Sequence, residues 1–574
     1  MDLENRIATL NDVCCRAVSK HWDILGTTAV LNLPRELLKD LLLHLNVCQL
    51  DELQTDLNLK GISTFSEWYT FYRRLRGRAR LKTFDTVEDV KKEVMGKMFE
   101  IAMNGQGLPQ SVGKHLNTPT LLMAAAKTIN HFKLSSGLGS GIDLAALETP
   151  VLGVLEQTVT TLSVWIDKRL PVQMKKSQMY IIHRLIQHGV TKHVILRTDD
   201  HDLLYKVLFE GGCLNKLQRK VARNTEGSSQ TVPKCSGCPN KVIEHLELEE
   251  CSSKVLKKLI EILPWCSHLT ALTVRHTSPI AVSDMLDFTK ALEQLFQSSD
   301  TSLSRLSIEP MLCASLLRFL LHAYPRLTEL NVEFGNHAME ELPPPNDTTD
   351  ELPLEHLSVK LNQLLTSPDL LLSVLRRCPH LVTLRVGGVY LPAPFSQTEL
   401  LTTLSESNGC LTSLHLMDLN LSDCFHQMLT VLRVCKLEEL HLHDCRLLEQ
   451  QSDKQEALQL LVDALKAAPS LRKLTLTQNR LARDVHVLAE LFTGPTPSSV
   501  EYLDLRHNLI LPSDIVRFAE VLTTHPPPQR LTLDLTYNLG DGYEWNAAVD
   551  KLRPFCQRVA NDWEFSNLMS SLIY

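Results

Sequence analysis

Few short stretches of this chain carry residue types at a spacing that could do chemistry. Cys235-Ser-Gly-Cys238 has the separation of half a zinc site, since two thiolates that close can share one ion. A structural zinc site needs four ligands. The nearest further candidates, Cys213, His245 and Cys251, form no second compact pair. Gly137-Leu-Gly139-Ser-Gly141 is glycine-rich, yet it fits neither the phosphate loop nor the dinucleotide fingerprint, and it reads as a turn. There is no GxSxG elbow, no HExxH helix and no carboxylate pair in a motif context. The expectation is a chain that is not an enzyme, with no metal site and no cofactor. A catalytic alternative would have to lie in residues 83 to 220, where the pattern is least informative. Arg73-Arg74-Leu75-Arg76-Gly77-Arg78-Ala79-Arg80-Leu81-Lys82 is densely basic. It suits a nuclear-import signal, a nucleic-acid contact or a solvated helix end.

The elements that would position any site announce themselves further on. From about residue 241 to 540 one pattern recurs, clearest as Leu471-x-x-Leu474-x-Leu476-x-x-Asn479 and Val500-x-x-Leu503-x-Leu505-x-x-Asn508. The same frame fits Ile243/Leu246/Leu248/Cys251, Leu269/Leu272/Val274, Leu303/Leu306/Ile308, Leu327/Leu330/Val332 and Leu354/Leu357/Val359. It continues through Leu381/Leu384/Val386, Leu411/Leu414/Leu416, Leu437/Leu440/Leu442/Cys445 and a degenerate Leu533-x-Leu535-x-x-Asn538. This is the leucine-rich-repeat signature. Apolar residues two apart on a short strand point the same way, here into a core shared with neighbouring repeats. Asn479, Asn508 and Asn538 fall where the chain turns after the strand, so their amides are expected to satisfy backbone groups left by the strand.

Between the strands lie helical patterns such as Glu456 to Ala467, with Leu458, Leu461, Val462 and Leu465 on one face. Successive central leucines are 24 residues (Leu306 to Leu330) to 34 residues (Leu272 to Leu306) apart, a long, irregular period similar to the ribonuclease-inhibitor class. The expected fold class is α/β, a horseshoe-like leucine-rich-repeat solenoid with an inner parallel sheet and outer helices. Residues flanking the strand leucines then face the concave surface. Glu247 and Glu249 come early, Arg385, His415, Met417, His441 and His443 in the middle, and Tyr502, Asp504 and Arg506 late. Of these Arg385, His415, His441, Tyr502 and Arg506 are the candidate contacts to a protein substrate, with mere solvation of the sheet as the plain alternative. The acidic, proline-rich run Glu340 to Glu351 reads as an inserted loop.

Composition bounds the rest. The 574 residues are 44% hydrophobic and 22% charged, with a formal charge of −7, so wholesale binding to phosphate backbones is not expected. The first residues have early acids and no basic stretch before an apolar run, which does not read as a secretory signal. The richest leucine runs fall short of the roughly 20 apolar residues that span a bilayer. Fifteen cysteines scattered over the chain, many in leucine or valine positions of the repeats, suit reduced thiols and a place in cytoplasm or nucleus.

The amino-terminal region differs from the repeats. Leu3, Ile7, Leu10, Cys14, Ala17, Val18 and Leu25 form a helical apolar stripe over residues 3 to 25, which Trp22 could join. Within it Thr9-Leu10-x-x-x-Cys14-x-x-x-Val18 places three apolar side chains at four-residue intervals, and the cysteine is compact enough for a tight pocket. Fifteen residues later Leu33-Pro34-x-x-Leu37-x-x-x-Leu41 opens a second amphipathic helix on a proline. A third helical element, Gly61 to Leu75, contains Trp68.

The first of these elements resembles the elongin-binding box, and the second resembles the cullin-contacting box. The second matches the cullin-2-type spacing, whereas the cullin-5 type wants a further apolar residue and proline where Arg35 and Glu36 stand. The order of box, proline helix, tryptophan helix and distant repeats, together with Cys15-Arg16-Ala17-Val18-Ser19, resembles the leucine-rich repeat-containing protein 41 family. That resemblance implies a substrate receptor of an elongin B/elongin C, cullin-5 or cullin-2 and RING-box ubiquitin ligase. It implies that Leu10, Cys14 and Val18 enter elongin C, that Leu33, Pro34, Leu37 and Leu41 face a cullin, and that the repeats hold an unknown protein substrate. The alternative is a repeat scaffold or inhibitor whose first helices only cap the solenoid, which burial of Leu10 and Cys14 would favour. The organisation expected is a helical adaptor over 1–82, a helical connector and cap over 83–240, repeats over 241–540 and a carboxy-terminal cap over 541–574.

Overall fold

A computed structural model describes residues 10–76, 84, 86–104, 119–134, 150–166, 172–208, 243–276, 280–298, 301–311, 326–334, 351–361, 369–388, 397–539 and 542–560. The chain divides into two units, Met1–Lys258 and Leu259–Tyr574.

The first unit opens with six helices: α1 (Leu10–Lys20), α2 (Trp22–Leu31), α3 (Arg35–Leu42), α4 (Val47–Leu59), α5 (Phe65–Arg76) and α6 (Val87–Asn104). The single stripe expected over residues 3 to 25 is interrupted. A break at His21 separates α1 from α2, and Gly26, at φ 74°, takes a left-handed conformation inside α2 that costs a glycine little. Pro34 stands at the N-cap of α3, where its fixed φ suits the start of a helix and its missing N–H is not needed. Asn46 and Gln49 close a reciprocal capping box on α4. Trp68 of α5 is fully buried and donates its indole N–H to Gln54 Oε1 (2.8 Å), an oxygen that also accepts from Thr64 (2.7 Å).

Residues 83–240 were expected to be a helical connector, yet they hold three strands as well: β1 (His131–Leu134), β2 (Thr161–Trp165) and β3 (His193–Arg197). These pair in parallel, and β3 pairs with β4 (His245–Glu249). The register aligns Phe132, Leu162, Val194 and Leu246 in one row, and Leu134, Val164, Leu196 and Leu248 in the next. All eight are buried. Parallel neighbours need a crossover between them, supplied in part by the helices Pro150–Thr158 and Val172–Gln187.

The second unit repeats that plan over eleven parallel strands: β5 (Ala271–Arg275), β6 (Arg305–Met311), β7 (Glu329–Phe334), β8 (His356–Leu361), β9 (Thr383–Gly387), β10 (Ser413–Met417), β11 (Glu439–His443), β12 (Lys473–Thr475), β13 (Tyr502–Asp504), β14 (Leu531–Asp534) and β15 (Cys556–Ala560). The repeat leucines stand in register across it, Leu384 beside Leu414, Leu414 beside Leu440, Leu440 beside Leu474 and Leu474 beside Leu503. Taking such a row out of water stabilises the fold by about 1.5–3 kcal/mol per leucine, and each repeat gains it only from its neighbours. The expected helix near Glu456 is Lys454–Lys466, with Leu458, Leu461, Val462 and Leu465 all buried. The carboxy-terminal segment from 541 adds the helix Gly542–Asp550 and the strand β15. No helix among the described residues is long and apolar enough to cross a membrane.

After each late strand the chain turns through a left-handed residue, Gln478 (φ 61°), His507 (φ 56°) or Tyr537 (φ 62°), immediately before Asn479, Asn508 or Asn538. The asparagines compensate for this costly backbone. Asn508 donates to the carbonyls of Leu476 (2.7 Å) and Arg506 (3.1 Å), and its Oδ1 accepts from the backbone N–H of Asn479 (2.9 Å). Asn538 accepts in turn from the N–H of Asn508 (2.8 Å), and Asn479 from that of Cys445 (3.0 Å). The expected structural role of these three residues is what the structure shows. Cys445 continues the ladder with its thiol, which donates to Leu416 O (3.3 Å).

Candidate functional site

Two surfaces bring together the residues singled out above, one in each unit. The first is α1. Polar side chains tie it to its neighbours: exposed Asn11 donates to Asp40 Oδ2 (2.7 Å), half-buried Asp12 lies 3.6 Å from His44, and half-buried Ser19 donates to His44 O (2.9 Å). Gln49 returns a bond to the carbonyl of Ser19 (2.8 Å). Cys15 is buried, its thiol pushed above the ordinary range by desolvation and by Asp40 and Asp12. The α2 residue Trp22 is buried as well and donates to Glu52 (3.0 Å).

The outward side of α1 is apolar. Leu10 is 81% exposed and Val13 52% exposed, and Cys14 and Ala17 are exposed too. These four positions are spaced i, i+3, i+4, i+7, one stripe of a helix. Ordinary packing puts such a stripe inside; here it faces out, while Cys15 is buried on the opposite side and hydrogen bonds from Asn11 and Ser19 hold the helix in place. Val18 is half-buried at the border of the stripe. Ile24 and Leu25 in α2 are also exposed.

The proposed cullin-facing residues divide. Leu33 is half-buried, Pro34 is exposed and Leu37 is 40% exposed. Leu41 is 1% exposed and belongs to the core with Leu38 and Leu42, so it cannot face a partner. The four-residue spacing that nominated it also describes the inward stripe of α3. Leu43, which the pattern passed over, is exposed at the end of that helix.

The second surface is the open face of β9 to β14, lined by the side chains that alternate with the buried leucines. Arg385, His415 and His441 are consecutive partners across β9, β10 and β11. The two imidazoles stack, centroids 4.0 Å apart and planes 9° from parallel. His415 is held down to about 3 by desolvation, with His441, Arg385 and Lys473 adding to the effect. His441 is lowered by desolvation, Lys473 and Arg385, against the pull of Glu439. Ser413 Oγ lies 3.0 Å from His415 Nε2, and Glu439 Oε2 lies 3.5 Å from His441 Nε2. Lys473 reaches Glu439 (3.8 Å) and sits over the ring of Tyr502 (5.8 Å). Arg506 is committed within the chain: it grips buried Asp504 through two nitrogens (2.9 and 2.6 Å), with Asp534 at 3.6 Å. Four of the five nominated residues thus line one stretch of sheet, where His415, His441 and Tyr502 meet Ser413, Glu439 and Lys473, and the fifth serves a carboxylate of its own unit.

The catalytic alternative finds little support among the described residues of 83–220. His131 Nε2 is 2.6 Å from Ser163 Oγ, but desolvation lowers the pKa of that histidine, and Lys133 and His193 lower it further. Among the described residues no carboxylate orients it as a base. A cavity of about 370 Å³ beside it is lined by Lys92, Lys97 and Lys133 against Asp89, Glu93 and Glu100, a balanced rim. Cys235, Cys238, the glycine run at 137–141 and the acidic run up to residue 350 lie outside the described residues, as does the basic run from Gly77 onward.

Sequence reasoning missed the strands β1 to β3. The signal was present as Ile129-x-x-Phe132-x-Leu134, Val159-x-x-Leu162-x-Val164 and Thr191-x-x-Val194-x-Leu196, the same frame with a phenylalanine and a threonine in leucine positions.

No family model matches the chain. Among curated proteins it is similar to leucine-rich repeat-containing protein 41 of Bos taurus and of Homo sapiens, each 28% identical over 279 residues, and to that of Mus musculus at 27%. Each alignment covers 46% of this chain and 34% of the relative, so the chain spans about a third of the length of the curated relatives it matches. Among solved structures it aligns with a chain of the crystal structure of the Rad7 and Elc1 complex in yeast, at 15% identity and a TM-score of 0.32, over 67% of this chain and 89% of that one. The chain is an α/β solenoid of the leucine-rich-repeat type, similar over 46% of its length to leucine-rich repeat-containing protein 41.

Proposed function

We propose that the chain is a non-catalytic adaptor, the substrate-recognition subunit of an elongin B/elongin C, cullin and RING-box ubiquitin ligase. The observation that carries this reading is helix α1, which is tied to its neighbours through Asn11 and Ser19 with Cys15 buried, and leaves Leu10, Val13, Cys14 and Ala17 uncovered. An apolar stripe on a helix is the form in which a groove reads a partner helix, and Leu10 and Cys14 are the positions where the elongin-binding box wants them. The scaffold alternative called for those two side chains to be buried in the chain's own core. Leu33, Pro34 and Leu37 remain as the cullin-facing set, joined by Leu43. The open face around Arg385, His415, His441 and Tyr502 is the substrate surface. Such a receptor needs no catalytic group, because it works by raising the concentration of substrate beside the charged ubiquitin carrier. Its place would be the cytoplasm and nucleus.

The test is a pull-down of elongin B and C, and of cullins 2 and 5, with the intact chain and with a Leu10→Ser, Cys14→Phe variant. The expected result is elongin capture by the intact chain, lost in the variant while its circular dichroism is unchanged, with one cullin following elongin. Absence of elongin from the intact-chain sample would overturn the reading and leave a repeat scaffold.

A further inference from the structure

We propose that His415, His441 and Glu439 form a binding site for a divalent transition metal, zinc in the first instance, with one coordination position left open on the sheet face. The site lies on the face assigned to substrate but uses neither α1 nor any elongin contact, so its failure and the failure of elongin capture are distinguishable.

The register makes the cluster. Ser413 pairs with Glu439 and His415 with His441 on adjacent parallel strands. Residues two apart on a strand share a face, and neighbouring strands lie roughly 4.8 Å apart, so the four side chains stand at the corners of a small quadrilateral. Because the rings are stacked 4.0 Å apart and nearly parallel, neither imidazole blocks the other's edge. Each Nε2 turns toward the preceding row, that of His415 to Ser413 and that of His441 to Glu439. The ligand atoms of His415, Glu439 and His441 lie within 4.8 Å of one another.

A zinc ion with nitrogen and oxygen ligands at about 2.0–2.2 Å needs those atoms roughly 3.3 Å apart. Rotation of three half-buried side chains covers the difference without moving the hydrogen-bonded strands. Two imidazoles and one carboxylate are a ligand set that zinc accepts with water as its fourth ligand. Arg385 and Lys473 flank the cluster and oppose a dication, and Lys473 must give up its contact with Glu439 (3.8 Å) when metal binds. Affinity is therefore moderate rather than that of a closed structural site.

The experiment is a calorimetric titration of the full chain with zinc chloride, paired with the visible spectrum of the cobalt(II) form. The comparison set is His415→Ala/His441→Ala, the near-isosteric Glu439→Gln, and Cys235→Ser/Cys238→Ser. The expected result is one zinc equivalent weakened at least about tenfold in the histidine and glutamate variants and unchanged in the cysteine variant. Its cobalt spectrum should show d–d bands without thiolate charge transfer. No zinc binding by the intact chain, affinity in the histidine or Glu439→Gln variants unchanged from that of the intact chain, or a thiolate band that vanishes with Cys235 and Cys238 would each overturn the proposal. Should the double histidine variant melt early in the absence of metal, Glu439→Gln carries the comparison alone.

Discussion

Asn508 illustrates how much a single side chain holds in place. Its amide donates to two carbonyls and its oxygen accepts from the N–H groups of Asn479 (2.9 Å) and Leu481 (3.4 Å), all inside the solenoid. Removing it strands several buried backbone groups, each worth about 1–3 kcal/mol when unpaired. Asn508→Ala should therefore lower the unfolding free energy by about 3 kcal/mol, read as a reduced denaturant midpoint by circular dichroism. A surface substitution such as Gln455→Ala, exposed on the helix Lys454–Lys466, should change it by less than about 0.5 kcal/mol. The thiols sort by the same logic. Burial pushes Cys251, Cys378 and Cys556 up to about 12, and Cys445, which also feels neighbouring carboxylates, up to about 12 as well. A thiol that does not ionise does not alkylate. Iodoacetamide at pH 8 should label Cys14 and Cys410, which are exposed, and spare those four until the chain unfolds. Labelling of Cys445 in the native chain at the rate of Cys410 would contradict the packing described.

At the scale of the element, α3 shows what periodicity can and cannot say. Leu37 and Leu41 are four apart and lie one turn from each other, so a motif written in four-residue steps treats them alike. The bundle does not: Leu37 is 40% exposed and Leu41 1%. Leu41→Ala should cost about 2–5 kcal/mol of stability through the cavity it leaves. Leu37→Ser should leave the melting curve nearly unchanged and show its effect only in cullin capture. Helix α1 poses the opposite problem. Its apolar stripe was legible as Leu10, Cys14 and Val18; in the structure Leu10 and Cys14 share an exposed face and Val18 is half-buried at its border. That this face points away from the bundle could not be read from the stripe, because it is decided by Asn11, Asp12 and Ser19 finding partners in Asp40, His44 and Gln49, residues about 30 positions distant.

At the scale of the molecule, the repeats were the most legible part, since eleven frames with leucine two apart from an aliphatic partner fix both strand position and register. The observed pairing of Leu414 with Leu384 and Leu440 follows directly from them. The earlier strands were not recognised, because β1 fills a leucine position with Phe132 and β3 opens its frame on Thr191, and composition alone makes such frames look like connector. The open face was legible as a set of positions but not as a network. Nothing in the spacing shows that Arg506 is spent on Asp504, or that His415 and His441 stack. The adaptor reading concentrates on one outward stripe, and Cys14 reports on it without any mutation. The decisive measurement is peptide-resolved alkylation of the intact chain with and without elongin B and C, using Cys410 as the internal reference. The account predicts that elongin slows labelling of Cys14 several-fold and leaves Cys410 unchanged; equal labelling of Cys14 with saturating elongin would contradict it.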